Sequence, residues 1–342
     1  MYHFRKIPIN QVAWDQLDKL GDRTIFQTRE WLTFLQASTG AEPVVAEILD
    51  GSQTVGHFTG MVVQKFGIKI LGSPLEGWTT YTMGMNLLPG ASKLAANKAL
   101  VEFAFDELGC IHIELCEDSV DPDAYTDAGF IRHSKTGWEA PLFDTSEKLL
   151  ANWSRSGRRD FRRGEQCGVI IREAQDVEFA VKYYDQFKDV MAYDGTSPTF
   201  PLKRVQDLIT HLQPTGRLLL LRAFDQQGTW IASGIFPAMN GIMYGWGQVS
   251  YRKHLDLFPN PVLFHHAMLY WGERGMTRFV MGAGGFYKHK YGAQTVVGDR
   301  YMKSRFKSLI HLRKAAQKIF HFGLRSRAFV LNHANSKPAQ ED

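Results

Sequence analysis

The sequence is poor in the features that mark secreted, membrane-spanning and disulfide-rich proteins. Its three cysteines, Cys110, Cys116 and Cys167, form neither a CxxC pair nor an even set. Such cysteines are typical of a reducing compartment rather than of a disulfide scaffold. No apolar stretch reaches about 18 residues, and the N-terminal segment lacks the apolar core of a signal peptide. We therefore expect a cytoplasmic protein with no membrane span.

Several catalytic signatures are also missing. The sequence contains no GxxxxGK[ST] phosphate loop, no GxSxG elbow and no cysteine protease signature. His112, His265 and His266 lack a second ligand four residues away and any companion carboxylate motif, so we interpret them as helix or core histidines. Hydrolysis by a serine or cysteine nucleophile, a metal site and a tightly bound cofactor are accordingly not expected.

The composition is that of a folded protein with an uneven charge distribution. Hydrophobic residues make up 44% of the 342 residues and charged residues 22%, which predicts a packed body of two domains. The net charge is +5, but the segment from 303 to 327 contains lysines and arginines and no acid. This segment predicts contact with phosphates or an anionic surface, with a solvated helix face as the alternative.

The two halves of the chain resemble each other. "VVAEILDGSQTVGHFTG" (44–60) and "LLLLRAFDQQGTWIASGI" (218–235) both read as β-hairpins. Each is followed by a short strand, an amphipathic helix with a glycine after it (Gly109 and Gly275), a buried strand and an aromatic turn. We therefore predict a duplicated domain, with domains at 1–145 and 146–330 and a disordered tail at 331–342.

A helix is predicted to open the second domain. It begins at the capping pattern from Asp144 to Glu147 and ends at Gly164 or Gly168. Five of its arginines have the i, i+3, i+4, i+7, i+8 spacing of an apolar stripe: Arg155, Arg158, Arg159, Arg162 and Arg163. Like charges at this spacing repel, and guanidinium groups suit phosphate, so we predict an anionic ligand on Arg158, Arg159 and Arg162. A solvated face balanced by acids from elsewhere is the alternative.

A glycine- and lysine-rich stretch follows the last predicted helix. "FVMGAGGFYKHKYGA" (279–293) has three glycines in four positions and places Lys288 and Lys290 between two tyrosines. Glycines let backbone N–H groups approach a ligand closely. The stretch predicts an anion site in the second copy, with Lys288 ahead of Lys290, and an ordinary surface turn is the alternative.

Other candidate residues are aromatic or acidic. Trp78, Tyr81, Tyr244 and Trp246 are candidates for the walls of a cleft, with Gln248 as a polar anchor, although core packing is the competing explanation. Asp194, in a loop, is a candidate general base if it is buried, and a turn-forming role before Gly195 is the alternative.

Taken together, four segments resemble the FemAB-like and BcsL/CelD-like transferases, which carry tandem GNAT (N-acetyltransferase-type) folds. The segments are "FQTREWLTFL", "RRDFRRGEQCGV", "PNPVLFHHAMLYWGERGMTRFVMGAGG" and "YKHKYGA". The family's helix matches Asn260 to Gly275, and its closing motif matches Lys288, Tyr291 and Gly292. The resemblance extends over residues 24 to 305, and the order and spacing of the motifs carry it.

The resemblance implies an α/β (α+β) fold of two GNAT-like domains, each a mixed, mostly antiparallel sheet flanked by helices. It also implies transfer of an aminoacyl or acyl group to an amine, in cell-envelope, polysaccharide or secondary-metabolite assembly. The donor is aminoacyl-tRNA, acyl-CoA or an acyl carrier, and the acceptor is a phosphate-bearing or lipid-linked molecule. Peripheral membrane contact is a further implication.

One departure from ordinary GNAT enzymes bears on the donor. Those enzymes bind the CoA pyrophosphate with an Arg/Gln-x-x-Gly-x-Gly/Ala loop at a helix N-terminus. The corresponding segments here read "MNLLPGASKLA" and "YRKHLDLFPNPVLF". This departure favours a donor presented by tRNA, a donor presented by a carrier protein, or CoA bound in an unusual pose over acetyl-CoA bound in the ordinary way.

Roles follow for the candidate residues. Lys288 is expected to stabilise developing negative charge, backbone N–H groups from Tyr244 to Gly247 to bind the oxyanion, and Asp194 to act as base. Tyr291, Trp78, Trp246 and Gln248 are expected to contact substrate. A non-catalytic protein of the same fold that binds RNA or a membrane surface is the alternative of a different class.

Overall fold

The computed structural model describes residues 1–65, 67–117 and 121–306. Most of the acid-free basic segment and the whole of the predicted disordered tail lie outside these residues. The described helices, in chain order, are α1 (Trp14–Leu17), α2 (Arg29–Thr39), α3 (Lys93–Glu102), α4 (Asp123–Thr126), α5 (Ser146–Asn152), α6 (Arg155–Gln166), α7 (Glu178–Tyr193), α8 (Leu202–Leu212) and α9 (Pro259–Gly272). A 3-10 helix covers Phe286–Tyr291.

The described strands, in chain order, are β1 (Tyr2–Ile7), β2 (Glu42–Asp50), β3 (Gln53–Lys65), β4 (Ile68–Ser73), β5 (Gly84–Leu87), β6 (His112–Cys116), β7 (Ile131–Pro141), β8 (Ile170–Ala174), β9 (Leu218–Phe224), β10 (Trp230–Met239), β11 (Ile242–Tyr244), β12 (Gly247–Ser250), β13 (Arg278–Ala283) and β14 (Gln294–Ser304). Most neighbouring strands are antiparallel, and β4–β6 and β11–β13 are parallel pairs. The mixed, mostly antiparallel sheet with flanking helices confirms the predicted fold class.

The chain forms two compact units, each built from separate segments. The first unit comprises Met1–Leu142, Pro237–Trp246 and the described residues from Gly275 onward. The second comprises Phe143–Phe236 and Gly247–Arg274. These units are defined by which residues contact each other, and they need not be continuous along the chain. The predicted division into two sequential domains at residue 145 therefore stays a prediction.

The strands of the first unit have the order β1-β2-β3-β4-β6-β14-β7-β13-β11, with the end of β10 beside β11. Its core is apolar and rich in phenylalanine. Phe4 stacks on Phe103 with ring centroids 5.1 Å apart, and Tyr125 stacks on Tyr301 at 3.8 Å. These rings join the N-terminal strand, α4, β14 and the turn that follows α3 into one hydrophobic cluster.

The predicted repeat is present, and its two copies exchange their last strands. In the first copy the hairpin β2–β3 precedes the parallel strands β4 and β6, which are connected through a helix. In the second copy the hairpin β9–β10 precedes the parallel strands β11 and β13, which are connected in the same way. The strand that ends the first copy, β7, pairs with β13 and β14. The strand that ends the second, β14, pairs with β6 as well as with β7. Each copy therefore completes the sheet of the other.

The second unit contains β8, β9, most of β10, β12 and helices α5 to α9. Its hairpin turns at Asp225, whose carboxylate accepts hydrogen bonds from the N–H groups of Gln227 (3.0 Å) and Thr229 (2.7 Å). This Asp-centred turn is the one that the sequence predicts between two apolar runs.

The single helix predicted from Asp144 to Gly164 is two helices, α5 and α6. Thr145 caps the first and Ser154 the second, where its side chain accepts a hydrogen bond from Gly157 N at 3.1 Å. Arg158 donates hydrogen bonds to the carbonyl oxygens of Leu150 and Trp153 at the end of α5. The break follows from a second capping serine inside the arginine-rich stretch.

Candidate functional site

The candidate site lies where the parallel strands β11 and β13 of the first unit separate. Their register runs from Ile242 opposite Arg278 to Tyr244 opposite Val280, and the last bond joins Gly245 N to Val280 O at 3.0 Å. Beyond this point β13 continues beside β7, with a register shift between Val280 and Gly282. We call the two diverging ends, Tyr244–Gly245 and Met281–Ala283, the strand fork.

The side chain of Tyr81 lies in the strand fork. Its hydroxyl donates a hydrogen bond to Gly245 O at 2.6 Å. A Cβ added to Gly282 would lie 2.7 Å from the same hydroxyl oxygen, so the phenol contacts both ends of the fork. The ring packs beside Tyr244 and Phe26, and burial raises the pKa of Tyr81 above its ordinary value. The phenol therefore keeps its proton at neutral pH and shares it with Gly245 O.

Lys288 approaches the fork from the β13 side. Its ammonium group donates hydrogen bonds to the carbonyl oxygens of Met281 (2.8 Å), Gly282 (3.2 Å) and Ala283 (2.8 Å). The residue is only 7% exposed. Burial lowers the pKa of Lys288 to about 8, because desolvation disfavours the charged form. The predicted positive charge of Lys288 is thus hydrogen-bonded to the backbone at the end of β13. The catalytic role of Lys288 stays a prediction.

Three glycines give the end of β13 its unusual backbone. Gly282, Gly284 and Gly285 have φ values of +73°, +75° and +63°, in the left-handed region that other residues adopt only with strain. The chain is exposed to solvent from Ala283 to Tyr287. No atom lies within 4 Å of a Cβ built on Gly284. A ligand can therefore approach this backbone closely.

A buried ion pair fixes the loop that carries Tyr81. Glu114 is fully buried, and its carboxylate accepts a hydrogen bond from Glu76 N at 3.1 Å. Arg300 donates to that carboxylate at 3.3 Å and to Pro74 O at 2.7 Å. Glu114, Arg300 and the loop residues that they bind all belong to the first unit. The pair anchors the start of the loop to β6 and β14, and so helps to position the phenol.

Sequence reasoning missed Tyr81 as the centre of the site, and it missed the Glu114–Arg300 pair. It treated His112 as a core histidine, and this histidine is indeed buried, with Nε2 3.4 Å from the Glu114 carboxylate. The available signal was a glutamate inside the apolar strand "CIHIEL", since a charged residue in a buried strand requires a partner.

The other aromatic candidates of the first unit are mostly core residues. Tyr244 and Trp246 are buried, and they pack in edge-to-face contact on Phe26 and Phe34 respectively. Tyr291 is buried beside Tyr287. Trp78 is half-buried on the loop before β5. The structure thus brings Lys288, Tyr244 and Tyr81 together at the fork, whereas substrate contact by Trp246, Tyr291 and Trp78 stays a prediction.

Two candidates of the second unit have polar partners of their own. Asp194 follows α7, is half-exposed and forms an ion pair with Arg252 at 3.2 Å. Gln248 donates to Asn260 O at 3.4 Å, next to the start of α9. Neither is in the buried environment that a general base or a cleft-lining anchor would use, and their predicted roles stay predictions.

The arginine stripe of α6 faces solvent. The buried face of the helix consists of Gly157, Asp160, Phe161 and Gly164, and a Cβ on Gly164 would lie 2.7 Å from Phe258 O. Arg155, Arg159, Arg162 and Arg163 are exposed on the remaining surface. Arg159 pairs with its neighbour Asp160, and Arg163 lies over the Phe258 ring at 5.4 Å. Within the described part of the chain, Arg155 and Arg162 form no ion pair.

Among the described residues, no group of three or more histidines, cysteines, aspartates and glutamates is placed to hold a metal ion. No described helix combines the length and the apolar character needed to cross a bilayer.

The sequence was compared with protein families and with known proteins. Residues 151–291 match the family described as "Acetyltransferase (GNAT) domain". The comparison with curated proteins gave no match.

Solved structures with similar folds cover most of the chain. FemX superposes with a TM-score of 0.68 at 14% identity, over 86% of this chain and 96% of its own. A tandem GNAT protein from the clavulanic acid biosynthesis pathway has a TM-score of 0.56 at 11% identity, over 90% of this chain and 99% of its own. L-PGS from Bacillus licheniformis has a TM-score of 0.52 at 14% identity, over 85% of this chain and 95% of its own. Residues 151–291 thus match the GNAT acetyltransferase domain family, and the chain as a whole has the fold of a tandem GNAT protein.

Proposed function

We propose that this protein transfers an acyl or aminoacyl group to an amine at the strand fork and so forms an amide. The observation that carries the proposal is the Tyr81 hydroxyl, held between the ends of two diverging parallel strands with the Lys288 ammonium group behind one of them. The resemblance of the sequence to FemAB-like transferases supports the same reaction. The fold shared with FemX is compatible with it.

The reaction needs a proton donor, and Tyr81 suits this role. A neutral amine attacks the carbonyl carbon of an ester donor, and the C–N bond forms as the carbonyl oxygen becomes an oxyanion. The C–O bond then breaks, and the Tyr81 phenol gives up its hydrogen bond to Gly245 O and protonates the departing oxygen. The amine nitrogen returns a proton to the phenolate, so the tyrosine is regenerated. The positive charge of Lys288 favours the negatively charged intermediate.

The start of α9 argues against a CoA donor in the second copy of the repeat. A helix N-terminus binds phosphate through its first backbone N–H groups. Here Pro259 and Pro261 lie in the first turn, and proline has no N–H. Two of the donors that a pyrophosphate would use are therefore missing. This loss supports an ester donor such as aminoacyl-tRNA rather than acyl-CoA.

Replacing Tyr81 with phenylalanine tests the proposal, because it removes only the hydroxyl. We expect kcat to fall by about 10²- to 10⁴-fold, the usual contribution of a positioned proton donor. The measurement is amide formation by mass spectrometry, with aminoacyl-tRNA and a panel of amine acceptors. Tyr287→Phe is the matched control, since Tyr287 is half-exposed and outside the fork. Equal rates for both variants would contradict the role of Tyr81.

We further propose that the α6 arginines bind phosphates of the donor. Replacing Arg162 with glutamate should weaken binding of transfer RNA and lower the slope of log affinity against log salt by about 1, as for one lost phosphate contact. Lys98→Glu, on the exposed face of α3, changes the net charge equally and serves as control. Filter binding at several salt concentrations measures both. An unchanged slope for Arg162→Glu would exclude α6 as the phosphate-binding surface.

A further inference from the structure

The Lys288 ammonium group has no hydrogen-bond donor left for a ligand. An ammonium carries three N–H donors. Three consecutive carbonyl oxygens, from Met281 to Ala283, accept hydrogen bonds from Lys288 Nζ at 2.8 to 3.2 Å. A side chain that contacted an oxyanion directly would have to give up at least one of these bonds. Lys288 therefore supplies the positive charge, and a different group must donate the hydrogen bond to the substrate.

The peptide groups that bind Lys288 turn their N–H groups the other way. In a trans peptide the C=O and the N–H point in opposite directions, and the only described cis bond is Ser73–Pro74. The carbonyls of residues 281, 282 and 283 point at Lys288, so the N–H groups that follow them point away from it. Gly282 and Ala283 pair with Trp138 and Gly137 of β7, and this ladder takes up an N–H group of at least one of them, whereas Gly284 lies beyond the end of β13. Ala283 and Gly284 are exposed, and a Cβ on Gly282 would touch the Tyr81 hydroxyl.

We infer that Lys288 is a positioning residue, which holds the peptide planes between Met281 and Gly284 so that the exposed N–H of Gly284 binds the carbonyl oxygen of the acyl donor. This inference rests on the proposed function and assigns its oxyanion site to the end of β13. The left-handed glycines make the site accessible, since side chains there would be strained and would cover the N–H groups. The buried cation also polarises the three peptide groups, which strengthens their N–H groups as donors.

Other ionisable groups lie on the elements around Lys288. Tyr81 lies in the fork, and Glu139 of β7 pairs with Arg278 of β13 at 3.4 Å. The 3-10 helix that carries Lys288 adds two tyrosines, a histidine and a lysine, namely Tyr287, Tyr291, His289 and Lys290. Because several of these groups titrate, a pH profile of activity alone would not identify Lys288. A spectroscopic readout of the glycines themselves is required.

Nuclear magnetic resonance of ¹⁵N-glycine-labelled protein tests the positioning role without any substrate. We expect Lys288→Met to shift the amide signals of Gly282, Gly284 and Gly285, while Lys98→Met leaves them in place. In the unmodified protein these signals should also titrate with a midpoint of about pH 8, where Lys288 loses its proton, and the titration should be absent in Lys288→Met. Unmoved glycine signals in Lys288→Met would overturn the inference.

Kinetics then separate positioning from direct contact. Removing an oxyanion donor typically lowers kcat by about 10²- to 10³-fold, so Lys288→Met should lose this much with KM for the acceptor nearly unchanged. Lys288→Arg, whose cation does not deprotonate, should retain part of kcat and lack the decline above about pH 8 that we expect for the unmodified protein. Full activity of Lys288→Met would contradict the inference. If the unmodified protein transfers no acyl group, the proposed function fails, and the glycine spectra still decide whether Lys288 positions the strand end.

Discussion

Replacing Gly282 with alanine is expected to slow transfer at least as much as loss of the Tyr81 hydroxyl and to destabilise the first unit. The new Cβ would lie 2.7 Å from the Tyr81 hydroxyl oxygen and 3.0 Å from a ring carbon, closer than van der Waals contact allows. The phenol would have to leave the fork and lose its 2.6 Å hydrogen bond to Gly245 O. The φ of +73° adds backbone strain of about 1–2 kcal/mol for a residue with a Cβ.

The steric part of this effect can be separated from the backbone part. Gly51 also has a positive φ, +60°, but no atom lies within 4 Å of its Cβ position. Gly51→Ala should therefore show the backbone strain alone and keep its transfer rate. We expect Gly282→Ala to lower kcat at least as far as Tyr81→Phe, about 10²-fold or more. Transfer assays and thermal unfolding of both variants measure this. Equal behaviour of the two alanine variants would contradict the placement of Tyr81 in the fork.

Replacing Glu114 with alanine is expected to cost about 3–5 kcal/mol of unfolding free energy, because it leaves a buried charge without its partner. The carboxylate is fully buried and accepts hydrogen bonds from Arg300 and from Glu76 N. Arg300 itself is only 9% exposed, so water cannot readily replace the lost carboxylate. Urea unfolding followed by circular dichroism measures the loss.

Two variants make the Glu114 result interpretable. Glu114→Gln keeps an oxygen that can accept from Glu76 N, so it should be less destabilised than the alanine variant. Glu42→Ala removes an exposed ion pair with Lys6 and should cost no more than about 1 kcal/mol. A Glu114→Ala protein as stable as Glu42→Ala would show that the ion pair does not hold the Tyr81 loop.

Local patterns in the sequence predict a large part of the fold. Alternating apolar residues around Asp-containing turns predict both hairpins, and the repeated order of strand, helix and strand predicts the duplication. These signals are local, since they depend on residues a few positions apart. Helix boundaries are less well predicted, because Ser154 starts a new helix inside a continuous arginine-rich stretch.

The strand fork depends on contacts that no local pattern reveals. Tyr81 meets Gly245 across 164 positions, and Arg300 meets Glu114 across 186. Lys288 could be selected from its glycine-rich surroundings, but its three carbonyl partners depend on how the chain turns after β13. The arginine spacing of α6 likewise gave no indication of the buried face of the helix, because Gly157 and Gly164 carry no hydrophobic signal. Both are buried, and Gly164 approaches Phe258 closely.

The exchange of final strands also sets the order in which the protein can mature on the ribosome. When β6 and β7 have been synthesised, their main partners β13 and β14 are still about 140 to 190 residues away along the chain. Until those strands emerge, the nascent first copy exposes unpaired strand edges of the kind that join with other chains. Its sheet closes only when almost the whole described sequence has been translated. The first copy therefore cannot complete its sheet when its own residues have been synthesised, and its last pairings are the most distant ones along the chain.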